Sequence, residues 1–77
     1  MWHESSLKHL LGKRISGILV SENQSPPRYQ LFIAFDDGTY FEFYGDAIKA
    51  AGGVDTGGQE EITAYAKKFR GQLTSYF

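Results

Sequence analysis

Asp36 and Asp37 are adjacent carboxylates, and a pair of acids can divide general-acid and general-base roles or hold a hard cation. They stand directly before Gly38 between two alternating apolar runs, where an Asp-Gly step serves the geometry of a tight turn. The turn explains them without catalysis. His3 and His9 lie six residues apart, whereas helical histidines that share a metal stand at i and i+4, as in H-E-x-x-H. Glu4 beside His3 does not complete a ligand set, so no metal site is expected. Ser16, Ser21, Ser25 and Ser75 lack a G-x-S-x-G elbow, and two histidines are all that could serve them as base. The segment Gly52 to Gly58 contains four glycines ahead of a helical pattern, where backbone amides can cradle an anion. Neither G-x-x-x-x-G-K-[ST] nor G-x-G-x-x-G can be written onto it, and Asp55 would repel a phosphate. Loop and cap geometry is the expectation there. No catalytic residue, no cofactor and no metal are therefore expected.

The remaining chemistry-bearing group is aromatic. Phe32, Tyr40 and Tyr44 share one face of a β-hairpin in the register argued below, and exposed aromatic surface marks interfaces or stacks bases. An RNA-recognition signature is absent and Glu42 sits among the rings. The three rings are the expected binding surface, for a protein partner or a second copy, unless an N-terminal helix carrying Trp2, Leu7 and Leu10 covers them. A nucleic-acid or nucleotide ligand using the same rings with Arg14 or Arg28 is the alternative.

The elements that must position these residues are legible in part. Leu7, Leu10 and Leu11 at i, i+3, i+4 behind Ser5 and Ser6 predict a short N-terminal helix, about Ser6 to Leu11, ended by Gly12 in the left-handed conformation. Arg14 to Glu22 is rich in Ile, Leu and Val and stops at Asn23-Gln24-Ser25-Pro26-Pro27, which predicts a strand and a loop. Gly17 inside that strand points to a bulge or a close backbone approach. Tyr29 to Tyr44 reads as a hairpin. A two-residue turn at Asp37-Gly38 would place Glu42 among Leu31, Ile33 and Phe35. A three-residue loop, Asp36-Asp37-Gly38 with Gly38 left-handed, instead sets those three beside Phe41 and Phe43, and is the register expected. Asp46 to Ala51 fits a helical turn or an extension of the strand. Thr56 and Gln59 stand at capping-box spacing. Ile62, Tyr65, Ala66 and Phe69 mark one face of a helix, about Gln59 to Phe69, with acids at its start and bases at its end.

The expected fold is α+β, a three-stranded antiparallel meander with the C-terminal helix packed on the Leu31/Ile33/Phe35/Phe41/Phe43 face and a short N-terminal helix. Residues 1–77 form a single small domain. Five tyrosines, six phenylalanines and one tryptophan supply large buried surfaces, and the absence of cysteine excludes disulfide staples and thiolate zinc sites. Eight basic residues against nine acidic ones give a net charge of −1 without a basic block, which counts against counterion-driven nucleic-acid binding. No apolar run approaches the ~20 residues of a membrane span. No signal peptide is legible at the start, so a cytoplasmic location is expected. In Leu11-Gly12-Lys13-Arg14-Ile15 and in Phe35 to Gly45 the chain resembles small bacterial domains of unknown function, a resemblance that implies no activity. The functional expectation is a non-enzymatic protein-interaction or self-associating module.

Overall fold

The computed structural model describes residues 8–45 and 50–77. Five strands and one helix follow one another as β1 (Ile15–Glu22), β2 (Tyr29–Phe35), β3 (Thr39–Gly45), β4 (Ala50–Thr56), α1 (Gln59–Lys67) and β5 (Gln72–Tyr76). The sheet is antiparallel throughout in the order β4-β3-β2-β1-β5. Its two edges are consecutive strands of the chain, so α1 must cross one sheet face to join them.

The central hairpin has the three-residue loop. Ile33 pairs with Phe41 and Leu31 with Phe43, and Gly38 adopts φ 84°. Asp37 fixes the loop by accepting hydrogen bonds from the Thr39 amide at 3.0 Å and the Thr39 hydroxyl at 2.6 Å. A Cβ at Gly38 would meet nothing within 4 Å, so the cost of a side chain there is backbone strain alone. Gly38→Val is expected to lower stability by about 1–2 kcal/mol and Gly38→Asn by less, since Asn tolerates the left-handed region. Thermal unfolding of the two variants side by side measures the difference, and equal losses would contradict a left-handed residue at this position.

Gly17 carries the bulge anticipated for it, and a side-chain ring rather than another backbone stands close to it. The β1–β2 register shifts between Ile15 and Gly17, and the Phe77 ring lies where a Cβ of Gly17 would stand. The C-terminal helix also forms where expected, but its cap differs. Thr56 is paired with Thr39 inside β4, so the N-cap moves to Gly58, whose amide donates to the Glu61 carboxylate at 2.7 Å. That bond holds Glu61 below its ordinary pKa.

Three expectations are corrected. The sheet has five strands rather than three. β4 arises from a glycine-rich segment of low strand propensity because β3 offers it a full ladder of partners, from Gly45–Ala50 to Thr39–Thr56. β5 escaped notice because only Leu73 along it is turned into the protein, the other four residues being exposed. Second, α1 packs on the opposite face from the one expected. Leu19, Phe32, Ala34, Tyr40, Ile62 and Ala66 form the core, with Tyr65 and Leu73 packed against it. Third, the N-terminal helix expected over Ser6 to Leu11 does not run to Leu11. Ser6 and Leu7 lie outside the described residues, Lys8 is helical, and His9 to Gly12 form hydrogen-bonded turns, Leu11 N–H to Lys8 and Lys13 N–H to Leu10, ending with Gly12 at φ 78°. Asp46 to Lys49 also lie outside the described residues, and Ala50 and Ala51 belong to β4.

On the second face Phe35 and Phe41 are buried, and Leu31, Ile33 and Phe43 are half-buried. The Lys13 ammonium stands 5.2 Å from the centre of the Phe35 ring and bonds Asp37 at 2.8 Å and Thr39 at 2.7 Å. The loop acids are thereby engaged in structure. Lys13 and Thr39 hold the Asp37 carboxyl down at about 2, and Arg14 stands 3.6 Å from Asp36.

Candidate functional site

The anticipated binding face is mostly interior. Phe32 is fully buried and Tyr40 is 6% exposed, while Tyr44 alone remains accessible at 39%. Helix α1 lays Tyr65 edge-on against Phe32, ring centres 5.9 Å apart, and Phe69 against Tyr65 at 5.4 Å. Of the other sequence candidates, His9, Ser16, Ser25 and Ser75 are exposed and His3 lies outside the described residues. Asp55 accepts from the Thr56 amide. These positions do not gather into a site.

What the face does gather is a chain of polar side chains that continues the core toward the far end of the sheet from the hairpin loop. The Ser21 hydroxyl donates to Asn23 Oδ1 at 2.7 Å. Asn23 Nδ2 donates to the Pro27 carbonyl at 2.6 Å and to Gln30 Oε1 at 2.8 Å. Gln30 Nε2 donates to Glu42 Oε2 at 3.0 Å. Ser21 and Gln30 are almost wholly buried, and a buried polar group costs free energy unless bonded. Each is bonded here, so the helix and its following loop can cover them.

Glu42 ends the chain half-buried. Burial pushes its pKa up, the Gln30 hydrogen bond opposes that, and Asp55 adds repulsion in the same upward direction as burial. A carboxyl whose folded pKa is raised contributes stability that is complete below the unfolded value, about 4.3, and is lost as pH rises through the folded value. Glu42→Gln keeps an acceptor for Gln30 and removes the charge. It is expected to raise the unfolding midpoint at neutral pH and to flatten its decline as pH rises above the unfolded value. A lower midpoint at neutral pH in a titration of thermal unfolding would show instead that the charged form is favoured in the fold.

Where the chain reaches Asn23 the surface opens into a cleft of about 290 Å³. Two loops flank it, residues 23–28 between β1 and β2 and residues 68–71 between α1 and β5. Glu22 pairs with Tyr29 on one side and Gln72 on the other, so the three form a row across the sheet at the cleft floor. Arg28 and Arg70 stand on its rim. Arg70 is the one non-glycine residue of positive φ among the described residues, at 57°, and Gly71 after it presses against Asn23 and the Glu22 carbonyl. Sequence reasoning singled out Arg28 but not Arg70 or Gln72. Their spatial link to Arg28 comes from β5 pairing with β1, and no local pattern announces it.

The outer side of β5 is the second feature. Gln72, Thr74, Ser75 and Tyr76 are exposed, Tyr76 at 66%, and no strand lies beyond β5 among the described residues. The strand carries no charge, proline or bulge, the devices that ordinarily blunt a sheet edge. At the other edge β4 has two glycines and Asp55, a poorer template for pairing. No protein-family model, no curated protein and no solved structure matches this chain.

Proposed function

We propose that the protein is a non-enzymatic self-association module in which the β5 edges of two copies pair antiparallel and join their sheets. The observation that supports this is the unguarded β5 edge. Exposed main-chain donors and acceptors along a strand are a template for another strand, and a two-fold axis through an antiparallel pair makes the template complementary to itself. With Thr74 opposite Thr74 of the second copy, Leu73 faces Ser75 and Gln72 faces Tyr76. Threonine pairs across strands are favourable, and no charge is brought against its own kind along the seam. A net charge of −1 leaves little repulsion between copies.

The reading moves the interaction surface from Phe32, Tyr40 and Tyr44 to the sheet edge. A lysine in the middle of the edge should block pairing while leaving the fold intact, because the Thr74 side chain is exposed. Sedimentation of a concentration series is expected to show dimers for the wild type and monomers for Thr74→Lys, with the same far-ultraviolet circular dichroism for both. A wild type that is monomeric at every concentration, or a Thr74→Lys variant that dimerises equally, would overturn the proposal.

A further inference from the structure

The cleft between the 23–28 and 68–71 loops shares Gln72 with the β5 seam, and its other lining residues lie outside that strand. Its lining combines three chemistries within one small volume: cationic rim groups in Arg28 and Arg70, a carboxylate in Glu22, and an exposed ring in Tyr29, which is 55% accessible. We propose that this cleft binds a nucleoside monophosphate, with the phosphate at the arginine rim, the ribose hydroxyls toward Glu22 and the base against Tyr29.

Size bounds the ligand first. A cleft of about 290 Å³ lies at the bottom of the range of roughly 300–1,000 Å³ seen for small-molecule sites, room for one ring system and one phosphate rather than a dinucleotide. Charge fixes the anion. No carboxylate lies within ion-pair distance of Arg70 among the described residues, and guanidinium groups match the oxygen geometry of phosphate with paired hydrogen bonds. Glu22 opposes a bare anion, but it is an acceptor for sugar hydroxyls when the phosphate is held at the rim, the use made of acidic residues in other nucleotide sites. Tyr29 offers a face on which any base can stack.

The backbone supports a built rather than incidental cleft. Arg70 holds a left-handed conformation, φ 57°, that a non-glycine residue adopts at a cost, and such strain concentrates at ligand-binding positions. Asn23 at the cleft wall is locked by the polar chain from Ser21 to Glu42, so that wall does not have to be ordered when a ligand arrives.

The test uses the whole chain with three probes, AMP, adenosine and inorganic phosphate, followed by calorimetry and by backbone amide shifts. AMP is expected to bind more tightly than either fragment and to shift the amides of Tyr29, Arg70 and Gln72. Arg70→Gly removes the guanidinium while relieving the strained backbone, so a loss of binding cannot come from unfolding. It should weaken AMP by about tenfold or more, the loss of one charge-assisted contact, and leave adenosine unchanged. Tyr29→Ser should weaken AMP and leave phosphate unchanged. Added salt should weaken AMP more than adenosine. No amide shifts with millimolar AMP, equal binding of AMP and adenosine, or AMP binding that is indifferent to both variants would each overturn the assignment. Because both readouts are made below the concentration of any self-association, or in Thr74→Lys, their failure leaves the β5 seam untouched, and failure of the seam leaves them intact.

Discussion

Phe32→Ala is expected to cost about 3–5 kcal/mol, the range for removing a fully buried phenylalanine, and so to abolish cooperative unfolding in a domain whose whole stability is on the order of 5 kcal/mol. Phe32 has no exposed surface. Its ring touches Tyr40 on β3, with ring centres 6.0 Å apart, and Tyr65 on α1, and it belongs to the cluster of Leu19, Ile62 and Ala66. The helix is short, and Ile62 and Ala66 are its two buried residues, so it depends on this ring to stay docked. Tyr44→Ala on the same sheet face is the control. Its ring is 39% exposed, and the change should stay within about 1 kcal/mol. Urea titrations of both variants decide the matter. If Phe32→Ala costs no more than Tyr44→Ala, the helix packs on the other face, as the hydrophobic pattern alone suggests.

That suggestion was reasonable on its own terms, which is why the disagreement is instructive. The run Leu31, Ile33, Phe35, Phe41, Phe43 is uniformly apolar, whereas Gln30, Phe32, Ala34, Tyr40, Glu42 and Tyr44 alternate between apolar and polar, as an exposed face does. The alternation conceals that Gln30 and Glu42 are hydrogen-bonded to each other and, through Asn23, to Ser21. A polar group satisfied by its neighbours can be buried, but the neighbours come from three different strands and a loop, so nothing in the local sequence reveals the pairing. The hairpin register, by contrast, was legible because it depends on a glycine and a count of loop residues. The helix was legible because four apolar residues repeat at its own period. β4 and β5 were not, since each derives its strand character from a partner rather than from its residues. The cleft shares that fate. Arg28 and Arg70 are 42 positions apart in the chain and line one cleft only because β5 lies beside β1.

Gly71→Ala is expected to cost about 2 kcal/mol or more, a large effect for one methyl group outside the hydrophobic core. A Cβ at Gly71 would fall well inside van der Waals contact with Asn23 Oδ1 and the Glu22 carbonyl oxygen, and 2.8 Å from the Glu22 carbonyl carbon. Neither neighbour can yield cheaply. Glu22 belongs to β1 and is paired with both Tyr29 and Gln72, so its carbonyl is fixed by strands on either side. Asn23 is held by Ser21, Pro27 and Gln30 through its side chain, and its amide donates to the Arg28 carbonyl at 2.7 Å. Accommodating the methyl by backbone movement is overpacking, about 1–3 kcal/mol. Turning Asn23 away instead leaves the buried Ser21 and Gln30 groups short of a partner, a further penalty of about 1–3 kcal/mol. Chemical denaturation measures the loss. The mechanism has a second signature, because removing the Asn23 side chain already gives up the polar chain that the methyl would break. Asn23→Ala should therefore be destabilising by itself, and Gly71→Ala should cost less in that background than in the wild type. Full additivity would mean that the methyl acts on the Glu22 carbonyl alone. A loss below about 0.5 kcal/mol, within the range of ordinary surface changes, would mean that the two loops stand apart in solution, and the wall of the cleft would go with them.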